Sequence, residues 1–257
     1  MCIVALAWQV LDDMPLCIIS NRDEVYARPT RALHHWPHHS MIAGQDELQG
    51  GTWMGITEAG RWAVITNFRD GHDKQVYSTS RGHLIQEFLQ SEMAPIRFAQ
   101  QLAAKQCEYA GFNLLLGDQK QAVYMSNRGE APQLLPHGVY VLSNGLMHEP
   151  WEKTRHLRKR FTQELLPLLQ QAQDFDIEYA VWDILEDQRQ VETNLLPQTG
   201  ISQEMEQLLS STFIESSHYG TRCSNFLTVR DQVWHWLEKT QYGPQRGQIT
   251  KIVQEIT

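Results

Sequence analysis

Three residue types near the start of the chain can do chemistry together. Cys2 stands directly behind the initiator methionine, and Arg22 and Asp23 follow at the end of the second apolar run. A second-position cysteine is small enough for the methionine-removing peptidase to expose it. It would then carry a thiol and an α-amine on one residue. That amine has a reference pKa of ~7.7–8.0, so part of it is neutral at pH 7 and can take the thiol proton. A guanidinium nearby favours thiolate further. The competing reading of Cys2 is a small buried hydrophobe with no reactivity. The early Arg-Asp pair brings the two readings level.

Two extended segments must position this set. Ile3 to Trp8 is one apolar run and Leu16 to Ile19 is another, with Asp12, Asp13, Met14 and Pro15 forming a turn between them. If the runs pair as neighbouring strands, the chain start returns to Arg22 and Asp23. Other polar groups fall where strands are expected to end: Asn21 to Glu24, Thr66 to Arg69, Ser143-Asn144 and Tyr219 to Arg222. Asn and Arg at strand ends cap loops, supply oxyanion donors or clamp carboxylates. Four such clusters point to a common pocket.

The remaining elements follow from pattern. Val25 to Gly51 reads as an irregular surface loop, with His34, His35, His38 and His39 set around Trp36-Pro37. Those imidazoles match no helix-face metal motif, so a solvent-exposed loop is expected there, with metal or haem ligation as the lesser reading and no metal site assigned. A hairpin is predicted around Glu58-Ala59-Gly60. Helices are predicted from Ser80 to Gln90, with Ser80 as N-cap, and from Pro95 to Tyr109. Strands follow at Phe112 to Leu116, Ala122 to Met125 and Val139 to Leu142.

Trp151 to Gln171 reads as a long helix interrupted at Pro167. Its basic run (Lys153, Arg155, Arg158, Lys159, Arg160) is expected on a solvated face. Shorter helices come next, at Ile177 to Leu185 and Ile201 to Leu209. Two final strands, Phe226 to Val229 and Val233 to Leu237, precede a polar, peripheral tail. The order lacks strict βαβ alternation, which argues against a doubly wound sheet. Two mainly antiparallel sheets with outer helices, an α+β arrangement of residues 1–257 as a single domain, fit better.

Bulk properties narrow the function classes. The 257 residues are 42% apolar and 20% charged, as in an ordinary globular protein. A net charge of −8 argues against a general nucleic-acid partner. No apolar run reaches the length of a membrane span, and no signal peptide is read. Cys2, Cys17, Cys107 and Cys223 are scattered, with neither zinc nor disulfide spacing. A cytoplasmic location is the expectation.

Several short motifs, taken in order, resemble one family. They are Asn21-Arg22-Asp23-Glu24, Gly50-Gly51-Thr52-Trp53, Thr66-Asn67-Phe68-Arg69, Ser80-Arg81-Gly82, Phe112-Asn113-Leu114, Leu142-Ser143-Asn144, Pro150-Trp151-Glu152-Lys153 and Tyr219-Gly220-Thr221-Arg222. Together they look like the NRDE family, that of transport and Golgi organisation protein 2. The resemblance implies an N-terminal-nucleophile hydrolase fold of four layers, αββα, and a comparison with penicillin V acylases and bile salt hydrolases. In those enzymes the chain-start cysteine is the nucleophile, an Arg and an Asp hold it, and two Asn and a late Arg complete the site. Cys2, Arg22, Asp23, Asn67, Asn144 and Arg222 are the counterparts here, with Arg22 and Asp23 adjacent rather than two residues apart.

The family is also linked to intracellular haem trafficking and to lipid or acyl-CoA handling. Two functions are therefore expected. The first is a small-molecule carrier, with haem as its ligand and no cofactor required. Asn21, Trp53, Arg69, Trp151, Tyr219 and Thr221 would line its pocket. The second is an amidohydrolase or acyl transferase in which Cys2 attacks an amide or thioester, with Asn67 or Asn144 holding the oxyanion. The carrier is placed first.

Overall fold

The computed structural model describes residues 2–37, 39–171 and 174–257. Met1 and His38, which both enter the sequence reading, lie outside the described residues. The two early apolar runs form strands β1 (Cys2–Leu11) and β2 (Met14–Val25) and pair antiparallel, with Cys2 opposite Arg22. Both runs are nearly continuous in apolar residues because both faces are covered. Val4, Leu6, Trp8, Leu16 and Ile18 face the space between two sheets. Ile3, Ala5, Ala7, Cys17 and Ile19 face a helical layer. Side chains alternate across a strand, so one apolar stretch serves two cores.

The first sheet has six strands in the order β10-β1-β2-β11-β12-β13. It adds β10 (Gly138–Leu142), β11 (Tyr219–Arg230), β12 (Val233–Thr240) and β13 (Ile249–Glu255). The second sheet has seven strands in sequence order. They are β3 (Thr30–His35), β4 (Met41–Asp46), β5 (Met54–Thr57), β6 (Trp62–Asn67), β7 (Phe112–Gly117), β8 (Ala122–Ser126) and β9 (Gln133–Leu134). Every pairing in both sheets is antiparallel. Trp62, Trp234 and Trp236 are fully buried where the sheets meet. Each such ring buries roughly 150–250 Å², which makes this interface the main stabilising feature.

Helices α1 (Gly82–Gln90) and α2 (Pro95–Ala104) cover the second sheet through Leu84, Ile85, Phe88, Phe98 and Leu102. Helices α3 (Glu152–Arg160), α4 (Leu166–Gln171) and α5 (Asp174–Leu185) cover the first through Leu157, Leu169, Val181 and Leu185. The result is the expected four-layer αββα sandwich.

Several local expectations are corrected. Val25 to Gly51 is not an irregular loop: it holds β3 and β4, an edge hairpin of the second sheet. The polar tail is not peripheral, since β13 pairs with β12 along its whole length. Ser80 does not cap α1; Arg81 occupies that position without a side-chain cap. The second helix ends at Ala104, and a short 3₁₀ turn, Gln106–Glu108, follows. Pro167 does not break its helix. A π-helical turn, Phe161–Leu165, links α3 to α4 just before it and absorbs the missing N–H.

Candidate active site

Cys2 opens onto a polar cavity of about 240 Å³ at one end of the first sheet. Arg22, Asp23, Trp53, Asn67 and Arg81 border it. The β2 residues alternate, so Arg22 and Asp23 leave the strand on opposite sides. Arg22 goes into the space between the sheets. It lies 4.0 Å from the centre of the Trp53 ring and donates to Thr30 Oγ1 at 2.9 Å. Asp23 turns toward the helical layer, where Thr221 Oγ1 donates to Oδ1 at 2.8 Å. Both still flank Cys2.

Burial pushes the Cys2 thiol up, and the Asp23 charge adds to that. The Arg22 guanidinium and the Asp23 backbone N–H act the other way. A thiol so placed needs a base to ionise it. Burial likewise raises Asp23, against the opposing charge of Lys153.

The two asparagines differ. Asn144 is fully buried and committed: Nδ2 donates to Asn67 O at 2.9 Å, and Oδ1 accepts from Ser143 Oγ at 3.2 Å. Asn67 lines the cavity, and its side-chain amide makes no hydrogen bond among the described residues. Of the two, Asn67 is the one whose amide is free to donate into the cavity.

Other expected site residues are placed elsewhere. Asn21 faces the helical layer, donating to Leu185 O and Thr212 O while accepting from Ser224 Oγ. Arg222 is the extra residue of a bulge in β11, between the pairs Thr221–Asp23 and Cys223–Arg22. Its Nη1 donates to the carbonyls of Val25, Tyr26 and Arg28, outside the cavity. Tyr219 stands near Asp23, whose charge helps burial raise its phenol. Arg69 is buried in an ion pair with Glu206 at 2.5 Å and lies 5.1 Å from the Trp151 ring. Arg69 and Trp151 line a separate groove of about 440 Å³, together with Phe68, the neighbour of Asn67. His34 and His35 end β3, an edge strand of the second sheet, and do not line the cavity. Among the described residues no three His, Cys, Asp or Glu side chains are grouped to hold a metal ion.

Arg155, Arg158 and Lys159 lie on the expected solvated face, but Lys153 does not. It is buried, donates to Leu209 O at 3.1 Å, and interacts electrostatically with Asp23, Arg69 and Cys2. Burial lowers its pKa to about 8. The signal was present in the sequence: Lys153, Leu157, Phe161 and Leu165 recur every fourth residue, and all four are buried.

The architecture and this end-of-sheet cavity define an N-terminal-nucleophile hydrolase fold. A solved arginine-to-leucine variant of conjugated bile acid hydrolase from Clostridium perfringens is similar at a TM-score of 0.52, covering 98% of this chain and 92% of that one at 10% identity. The sequence pattern of the family described as Transport and Golgi organisation 2 matches residues 1–243, and the chain belongs to that family. The Bos taurus Transport and Golgi organization protein 2 homolog is 37% identical over 148 residues, 54% of this chain and 53% of that protein. The chain thus spans about half the length of that relative. The Mus musculus homolog is 26% identical over 231 residues, 83% of this chain and 82% of that protein. No helix among the described residues is long and apolar enough to cross a membrane.

Proposed function

We propose that this protein is an acyl-transfer enzyme, cleaving an amide or thioester once Met1 has been removed. The observation that carries this reading is the pairing of Cys2 with Arg22 beside a small polar cavity that Asn67 enters with an unengaged amide. The freed α-amine of Cys2 takes the thiol proton. The sulfur then bonds to the substrate carbonyl carbon, whose oxygen becomes an oxyanion facing the Asn67 N–H. The C–N or C–S bond breaks, and the leaving amine or thiol departs with the proton. Water attacks the Cys2 thioester, releasing the carboxylic acid and restoring the thiol. Burial raises the thiol, which makes the amine indispensable as base.

The test is the intact mass of untagged protein from native cells, before and after exposure to an activated thioester. Loss of Met1 and one acyl group on Cys2 are expected. A retained Met1 in that protein sinks the mechanism.

Haem carriage, the other function that the resemblance implies, draws on the Arg69–Trp151 groove, which also holds His72. The Cys2 cavity itself falls below the ~300–1,000 Å³ usual for ligands of that size. A haemin titration without a saturable shift of the absorption band removes this reading.

A further inference from the structure

The charges around Cys2 balance in number but not in their pairing. Six ionisable side chains other than the thiol border its cavity: Arg22, Arg28, Arg81, Asp23, Glu24 and Asp46. Arg28 is taken, with Asp46 at 2.6 Å and Glu24 at 4.0 Å. Asp23 is held by Thr221 and interacts with Lys153 from behind. Arg22 and Arg81 are left. Neither has a carboxylate within ion-pair distance among the described residues. Arg22 is only 5% exposed. It spends one N–H on Thr30 and lays its face on Trp53. Arg81 donates from Nη1 to Gly111 O and is half-buried. Glu238, on the inner side, feels the Arg22 charge but forms no ion pair with it.

A buried guanidinium carries five N–H donors in a fixed fork that matches a carboxylate or phosphate. One hydrogen bond and one ring leave most of that fork unused. A buried charge without a partner is costly, and such a cost is met where a ligand supplies the counter-charge. The thiol lies within the electrostatic reach of both cations.

We infer that the acyl part of the substrate is short and carries its own anionic group, held between Arg22 and Arg81 while Cys2 meets the scissile carbonyl. The class is the amide or thioester of a small acid with a second carboxylate or a phosphate. The cavity of about 240 Å³ suits such a head and not a long chain. The inference rests on the acyl-transfer reading and names the substrate of that site.

Two alkylating reagents of nearly equal size test it without turnover. Iodoacetate is anionic and iodoacetamide neutral. The exposed free thiol of Cys107 is an internal reference in the same chain. The rate of iodoacetate relative to iodoacetamide, read by peptide mass, should be about tenfold higher at Cys2 than at Cys107. That excess should shrink in R81Q and in R22M, and in added salt. Cys2 alkylated with no anionic preference overturns the inference alone. Cys2 refractory to both reagents overturns the inference together with the reading beneath it. A second comparison uses succinyl and butyryl thioesters of one small thiol. Faster acylation of Cys2 by the succinyl compound is expected, and equal rates count against the anionic head.

Discussion

Whether Cys2 reacts depends on charges that are one residue deep. Asp23 raises the thiol, while the Lys153 ammonium opposes the Asp23 charge. The two therefore act on Cys2 in opposite senses. In Asp23→Asn the pH midpoint for alkylation of Cys2 should fall, because a negative neighbour has gone. In Lys153→Met it should rise, because Asp23 and the thiol lose a shared cation. Following the rate of alkylation between pH 6 and 10 checks both signs. Two shifts in the same direction would show that Lys153 acts through packing alone. At this scale the sequence was partly legible. Cys2, Arg22 and Asp23 stood out by type and by position at strand ends. Lys153 carried a signal in its fourfold spacing with Leu157, Phe161 and Leu165, but four basic residues follow it within seven positions and masked that signal, and its burial depends on the helix seating that one face against β1 and β10. The committed role of Asn144 was hidden likewise, since nothing local tells it from Asn67.

At the scale of elements, the mouth of the cavity depends on backbone meeting backbone. Gly51 lies before β5, and Gly82 opens α1. A Cβ on Gly51 would stand 2.8 Å from Gly82 C and 2.9 Å from its Cα, with no flexible atom to yield. The neighbouring Gly50 differs. Its φ is +74°, and nothing lies within 4 Å of a Cβ there. Asn tolerates that conformation, so Gly50→Asn should be nearly neutral. Gly51→Ala should cost about 1–3 kcal/mol and push α1, with Arg81 at its start, away from Cys2. Thermal melts of the two variants check the order, and slower Cys2 alkylation by iodoacetate in Gly51→Ala checks the displacement. Two of the elements that the sequence did not reveal, β3 and β13, are at sheet edges. Strands β3 and β13 each pair on one side only, so neither needs an unbroken apolar run. In β13 the exposed Ile249 and Val253 alternate with half-buried Thr250 and Ile252, and such a pattern reads as polar tail.

Across the whole molecule, the two sheets are joined by more than their tryptophans. Strand β3 shifts register between Arg31 and His34, which withdraws the Leu33 N–H from its ladder. Glu238 reaches across from β12 and accepts that N–H at 2.7 Å. Its other oxygen, Oε2, is buried without a hydrogen bond. Trp234 Nε1 makes a second cross-link, to Thr57 O at 2.9 Å. Burial raises the Glu238 pKa above its usual 4.5. A raised acid stabilises the fold fully below its unfolded pKa, and that contribution is lost as pH climbs through the folded value. Glu238→Gln keeps the acceptor for Leu33 and removes the titrating charge. The variant should therefore match the wild type in mildly acidic buffer and gain on it as pH rises toward 8, by about 1–3 kcal/mol. For a chain of this size ~1 kcal/mol moves a melting temperature by roughly 2–4 °C. Melts from pH 4 to 8 would reveal a widening gap. A gap of constant size would mean that Glu238 titrates alike in the folded and unfolded chain, so that an ionised carboxylate joins the sheets there at neutral pH.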